Sequence, residues 1–257
     1  MGNGNGISEA SPLSGTSRIT GGLGYFRGLA RKLVRHRSTK YHISKFIRAS
    51  NDLFVGFFRQ AVHGADLKVH CRNKTGILLN VGCGDHIQEG WVNIDLTPGK
   101  GAFFHDLLDP FPIANGSVSY IHAEHVLEHL DFADAMRFVE ECRRVLEPLG
   151  ILRIIVPDSE RYMNAYASKD ATFFEQLKDL GGSQEPHPTK AAICNQMFHM
   201  GGDHRFGWDF ETLEFVVRKL GFTRIERSSQ NDASLKHCID RQDWWRPVES
   251  FYAIITR

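Results

Sequence analysis

Apolar positions change their spacing as the chain proceeds, and each change marks an element. Phe26, Leu29, Ala30, Leu33 and Val34 recur at i, i+3, i+4, i+7 and i+8, with Arg27, Arg31, Lys32 and Arg35 mostly off that face. This is the period of an amphipathic helix. A second helix is expected over Phe54 to Val62, leading to a linker near His63 to Thr75. From Ile77 the spacing closes up: Ile77, Leu78, Leu79 and Val81 form a short apolar run that reads as a buried parallel strand. A second run, Trp91, Val92 and Ile94, ends on Asp95. Further on, a helix starting near Glu124 would place His125, Glu128 and His129 at i, i+3 and i+4. Side chains so spaced share one face, about 5–6 Å apart at Cβ, while Val126, Leu127 and Leu130 turn inward.

The break between the two strand-like runs carries chemistry. Gly82-Cys83-Gly84 follows the first run directly. Two glycines there let the backbone turn sharply and approach a ligand with no Cβ in the way. An acid closing the next strand, here Asp95, can accept both hydroxyls of a ribose. A dinucleotide site would need G-x-G-x-x-G and an acid about 20 residues further on. This chain lacks the third glycine, and its acid comes eleven residues after Gly84. It also lacks the G-x-x-x-x-G-K-[ST] loop that cradles a triphosphate. A ligand with a ribose but no pyrophosphate fits what remains.

These residues resemble motif I and the acidic motif II of class I S-adenosylmethionine-dependent methyltransferases. The resemblance continues through His105-Asp106-Leu107, Ser117 to His122 (strand 4), Phe138 to Leu149 (the helix before strand 5) and Ile151 to Asp158 (strand 5). It resumes at Trp208 to Leu213, Leu220-Gly221-Phe222 and Phe251 to Thr256, which look like the last helix and strands 6 and 7. It covers roughly residues 76 to 257. It is nearest in flavour to bacterial methyltransferases associated with surface polysaccharide and sugar methylation. The resemblance implies an α/β fold: a doubly wound, seven-stranded, mostly parallel Rossmann-like sheet with strand 7 antiparallel. It implies S-adenosyl-L-methionine as cofactor, held by Asn80, Gly82, Cys83, Gly84, Asp95, Asp106, Leu107 and His122. Two departures stand out. Asn80 occupies the position of a usual acid, and only about nine residues separate Gly82 from Trp91, fewer than a parallel crossover normally needs. The usual first helix must be shortened or absent.

His125, Glu128 and His129 fall just after strand 4, at the strand edge where ligands sit in such sheets. Two imidazoles and a carboxylate can bind a divalent cation or handle a proton. H-x-x-E-H is also an inverzincin signature, but a peptidase reading leaves the glycine turn and Asp95 without a role. Metal-dependent O-methyltransferases with E-x-x-E-H after strand 4, acting on small RNAs or in ubiquinone formation, are similar here, with His125 in place of their first Glu. By that comparison the metal set is His125, Glu128, His129 and a later histidine, His204 or His199. Imidazole favours transition metals, whereas Mg²⁺ prefers oxygen. A sugar hydroxyl attacking a sulfonium benefits from a base, so His125, His129 and His204 are the expected catalytic residues. The stretch His199 to Arg205 reads as an acceptor loop, with Glu160-Arg161-Tyr162 and Trp244-Trp245-Arg246 as aromatic platforms for a sugar face.

Composition narrows the class. At 257 residues and 42% hydrophobic content, the chain can bury one α/β domain plus an extension. The expected division is a disordered 1–15, a basic helical extension 16–75 and a methyltransferase domain 76–257. Nine Lys and Arg and no acid lie between Arg18 and Arg48, so with a net charge of +1 the remainder carries about −8. Residues 18–48 therefore suit a packed extra helix, an anionic membrane surface or carrier lipid, or nucleic acid. No run approaches 18 apolar residues, residues 1–15 lack a signal-peptide pattern, and Gly6 spoils a myristoylation match. Five scattered cysteines without a C-x-x-C pair argue against a disulfide framework and suggest a cytoplasmic setting. The expected activity is O-methylation of a saccharide. RNA, quinone or small-metabolite acceptors, and a non-catalytic binding module, are the alternatives.

Overall fold

The computed structural model describes residues 66–178 and 189–257. The expected disordered start, both N-terminal helices and the basic stretch 18–48 lie outside the described residues. Residues 66–71 are helical, and Leu67 and Cys71 join the main core. Part of the expected linker is thus a packed element.

Seven strands form one sheet in the order β3-β2-β1-β4-β5-β7-β6. They are β1 (Ile77–Val81), β2 (Val92–Asp95), β3 (Phe103–Phe104), β4 (Val118–Glu124), β5 (Leu146–Pro157), β6 (Arg224–Ser228) and β7 (Ser250–Thr256). β7 pairs antiparallel with both β5 and β6, and the other pairings are parallel. The expected α/β sheet and its reversed strand are present. Boundaries differ: β5 begins at Leu146 rather than Ile151, and β6 begins at Arg224, past the expected Leu220-Gly221-Phe222.

One face of the sheet is apolar and buries Leu79, Val81, Ile94, Ile121, Ala123, Leu152 and Ile154 in the main core. Two helices cover it. α1 (Phe132–Val145) starts earlier than expected because Asp131 caps it, accepting from Asp134 N–H at 3.0 Å. Its buried stripe is Ala135, Phe138, Val139, Cys142 and Val145. It stops before Pro148, whose ring cannot continue a helix. The helix after Asp209 is capped the same way, by Asp209 accepting from Thr212 N–H at 2.8 Å, and buries Leu213, Val216 and Val217.

The opposite face is polar. Register places Asn80 beside Asn93 and His122, and His122 beside Arg153, so these side chains share one side. No helix occurs in residues 82–91, as the short crossover required. The segment between β6 and β7 covers this face instead. Asp240 meets Arg153 at 2.6 Å with both side chains fully buried, and it also accepts from Asn231 N–H at 3.0 Å. His86 Nε2 lies 2.8 Å from the Ile239 carbonyl, and His237 packs edge-on against Trp91 and Tyr120.

After β5 the chain leaves the carboxyl edge into an insertion, α2 (Ser159–Ser168), α3 (Ala171–Leu177) and α4 (Lys190–His199). It has its own small core of Tyr162, Phe173, Phe174, Leu177, Ile193 and Met197. The helix capped by Asp209 is α5 (Phe210–Lys219), and α6 (Arg246–Glu249) leads into β7.

Candidate active site

The glycine turn and the acid meet at the carboxyl edge. Gly84 N–H donates to Asp95 Oδ2 at 2.8 Å, and Asp95 Oδ1 accepts from Thr97 N–H at 2.7 Å. Gly82 has φ +61° and Gly84 φ +53°, the left-handed region where a side chain is strained. A Cβ on Gly82 would stand 2.5 Å from Val126 Cγ2. The turn is thus pressed against the loop after β4 and has to be free of side chains there. Cys83 is buried, with its thiol pushed up to about 11 by burial and by the charge of Asp95. That keeps the sulfur a neutral wall. A carboxylate fixed beside side-chain-free backbone is a donor set that suits a ribose.

The other expected cofactor residues divide. Asp106 accepts from Leu108 N–H at 3.0 Å in a local turn, and Leu107 packs partly on the core. The structure gives two of them a different occupation. Asn80 is buried, and its amide donates to the His86 carbonyl at 2.8 Å and to Asn93 Oδ1 at 3.0 Å. It braces the short crossover loop against β2. His122 is only 1% exposed and lies on the polar face, 3.1 Å from Glu124 and 3.9 Å from Asp240. Its neighbours are buried charges, and its alternation along β4 turns it under the segment between β6 and β7.

The expected helix from Glu124 does not form. β4 runs through Glu124, and His125 N–H still donates to the Ile155 carbonyl at 2.9 Å. His125 then adopts φ +54°, a conformation that costs about 1–2 kcal/mol for such a residue and ends regular structure. A single 3₁₀ turn, Leu127–His129, follows. The His125 ring is held from both sides: Nδ1 lies 3.1 Å from Glu128, and Nε2 lies 3.1 Å from Ser250 Oγ and 3.4 Å from Glu249. Both nitrogens are engaged, so His125 stands apart from the expected metal set.

The remaining three do converge. One ligand atom each of Glu128, His129 and His204 lies within 4.8 Å of the others. Backbone bonds bring the distant histidine in. Arg205 N–H donates to the Glu128 carbonyl at 2.7 Å, and Trp208 Nε1–H to the Leu127 carbonyl at 3.2 Å. His129 Nδ1 faces the Asp203 carbonyl at 3.2 Å, and His204 Nδ1 faces the Met197 carbonyl. A carbonyl only accepts, so in each ring Nδ1 carries the proton and the neutral form has its lone pair on Nε2. Backbone carbonyls behind the ring fix metal-binding or basic imidazoles in this way. Glu128 is 2% exposed, and neither carboxylate oxygen has a hydrogen bond of normal geometry. Burial pushes this carboxyl up, but His125 and His129 beside it hold it below the ordinary value. Two imidazoles and one carboxylate form a donor set that fits a transition-metal ion better than Mg²⁺.

The acceptor-loop residues separate likewise. His199 ends α4 and is exposed. Tyr162 is buried with its hydroxyl donating to Glu249 at 2.8 Å, and Arg161 donates to the carbonyls of Pro247 and Val248. Neither offers a platform, because the insertion uses both to grip α6. Trp244 is 63% exposed, and Trp245 packs edge-on to His125. Sequence reading overlooked Glu124, Arg241, Glu249 and Ser250. The first is an acid in a strand, and the others lie in stretches whose apolar spacing shows no period.

Comparisons with known proteins bear on this arrangement. Residues 96–154 match the family described as a methyltransferase domain. No curated protein matches the sequence. Among solved structures, a SAM-dependent methyltransferase from Archaeoglobus fulgidus is 14% identical, with 77% of this chain and 94% of that chain covered and a TM-score of 0.42. One from Mesorhizobium loti is 14% identical, covering 75% and 96%, with a TM-score of 0.40. The small RNA methyltransferase HEN1 is 16% identical, covering 77% and 25%, with a TM-score of 0.41. Likenesses at this level carry no argument about the chain. The domain match spans residues 96–154 of the 257, and the strand order with its reversed β7 agrees with the Rossmann-like methyltransferase fold expected from the sequence.

Proposed function

We propose that the chain transfers a methyl group to a hydroxyl oxygen, with a saccharide or polysaccharide precursor as acceptor. The observation that carries the reading is the pair His129 and His204, each with Nδ1 tied to a carbonyl, beside buried Glu128. S-adenosylmethionine, when bound at the glycine turn, supplies an electrophilic methyl carbon for in-line attack. Gly82, Gly84 and Asp95 would hold its nucleoside end, with Asp106 and Leu107 nearby. The chain's own work is to bring the acceptor oxygen to about 3–3.5 Å from that carbon and to take its proton. A free Nε2 on His129 or His204 is suited to accept that proton as the new bond forms. Glu128 stabilises the charge this leaves on the imidazole. His125, between Glu128 and Glu249, holds Glu128 in place and is a positioning residue.

A divalent transition metal held by Glu128, His129 and His204 would supply Lewis-acid activation of the same hydroxyl. Exposed Trp244, next in sequence to the Trp245 that packs on His125, supports a sugar acceptor, because an aromatic face can pack on a pyranose ring. The charge pattern of residues 18–48 supports attachment to an anionic membrane surface or carrier lipid, on the cytoplasmic side. The test is a screen of mono- and oligosaccharides, RNA and quinones with methyl-labelled cofactor, with and without chelator and added Zn²⁺, Mn²⁺ or Mg²⁺. Label in a saccharide ether supports the proposal. Label only in RNA or a quinone replaces the acceptor. Full activity in chelator leaves histidine base catalysis without a metal.

A further inference from the structure

A crossover helix after β1 would aim its N-terminal N–H groups and positive dipole end at a bound anion. This chain has no helix in residues 82–91, so that positive end is missing. Arg241, from the segment between β6 and β7, stands in the same region. Its guanidinium lies 2.7 Å from Asp85 and 3.4 Å from the Cys83 carbonyl, and 3.7 Å from where a Cβ on Gly84 would be. Its backbone is anchored below, with Arg241 N–H donating to Glu124 at 3.0 Å. Its carboxylate partner, Asp85, is 90% exposed, and an ion pair so open to water is weak and readily exchanged. Burial does not oppose the exchange: the arginine is itself 31% exposed.

We propose that Arg241 receives the carboxylate of the cofactor's amino-acid arm, which displaces Asp85. The inference rests on the methyltransferase reading. The arm's carboxylate is the cofactor's one negative group, and the residues around the turn are otherwise rich in acids: Asp85, Asp95 at the end of β2 and Asp106 after β3. A guanidinium matches a carboxylate with two parallel hydrogen bonds. It does from the side what the helix end would have done from below.

The test measures affinity by calorimetry for two probes. S-adenosylhomocysteine carries the amino-acid arm, and 5′-methylthioadenosine keeps the nucleoside and thioether without it. In Arg241→Ala, S-adenosylhomocysteine should weaken by about 10–100-fold, the worth of a charged hydrogen-bonded contact, and 5′-methylthioadenosine should be unchanged. Arg241→Lys should recover part of the loss. Asp85→Asn, which removes the competing charge, should tighten S-adenosylhomocysteine alone. Equal weakening of both probes would mean that Arg241 only supports the loop, and no change in either would mean that it does not meet the carboxylate. Each overturns the inference and leaves the methyltransferase reading intact. Failure of the wild-type protein to bind either probe would overturn both.

Discussion

Asp95 is fastened to Gly84: the backbone N–H of the glycine that closes the turn after β1 donates to the carboxylate that closes β2, at 2.8 Å. The bond crosses between neighbouring parallel strands, so the acid is oriented before any ligand arrives. Thr97 takes the second oxygen through both its N–H and its hydroxyl. A preset carboxylate loses little side-chain freedom on binding.

Gly82→Ala should destabilise the fold. The left-handed backbone costs about 1 kcal/mol or more for alanine, and the new Cβ would meet Val126 Cγ2 at 2.5 Å, an overpacking worth about 1–3 kcal/mol. A loss of about 2–4 kcal/mol is expected from urea denaturation. Adding Val126→Ala should recover the clash but not the backbone strain, so the double variant should be more stable than the sum of the singles predicts. Strict additivity would show that the two residues do not press on each other.

His129→Ala and His204→Ala should each lower turnover by about 10²–10⁴-fold if a positioned base or metal is lost. Their affinity for S-adenosylhomocysteine should stay at the wild-type level, since the two rings are held by the Asp203 and Met197 carbonyls and are assigned to the acceptor. Single-turnover rates with labelled cofactor and an acceptor from the screen provide the check. Unchanged turnover in both variants would remove the proposed roles.

Acid stability should depend on Glu124. Burial alone would raise its carboxyl, but a hydrogen bond from His122, the charge of Arg246 and Arg241 N–H bring it down to about 2 from 4.5. A carboxylate with a depressed folded value contributes stability above its unfolded value and loses it as pH falls toward the folded one. The contribution, about 3 kcal/mol, is therefore present above about pH 4.5 and lost progressively toward pH 2. Glu124→Gln should be less stable at neutral pH and have a flatter acid limb in urea midpoints over that window. An acid limb parallel to the wild type would place the titration on other groups.

How far the sequence could be read depended on whether a residue's partners are close along the chain. The run Ile77 to Val81, the glycine pair and Asp95 were legible because strand, turn and acid are local features whose spacing carries their meaning. The absent crossover helix was legible from chain length between Gly82 and Trp91. Asn80 and His122 read as ligand residues because nothing nearby revealed their partners: Asn93 lies on another strand, and Asp240 is far along the chain. Periodicity misplaced His125 for a different reason. Its left-handed backbone is stabilised by Ser250 and Glu249, 125 and 124 residues away, and a long-range hold of that kind overrides local helix preference. His204 was an expected catalytic residue but, as a metal ligand, only one of two choices, since its approach to His129 depends on backbone bonds from Arg205 and Phe206 to Glu128.

The most direct measurement is the affinity of the wild-type chain and Asp95→Ala for S-adenosylhomocysteine, by calorimetry on the full chain. Micromolar binding by the wild type, weakened about 10-fold or more when the charged acceptor of the ribose hydroxyls is removed, is the predicted result. No heat from the wild type at millimolar ligand, or equal affinity in the two proteins, would contradict a cofactor pocket built on Gly82, Gly84 and Asp95.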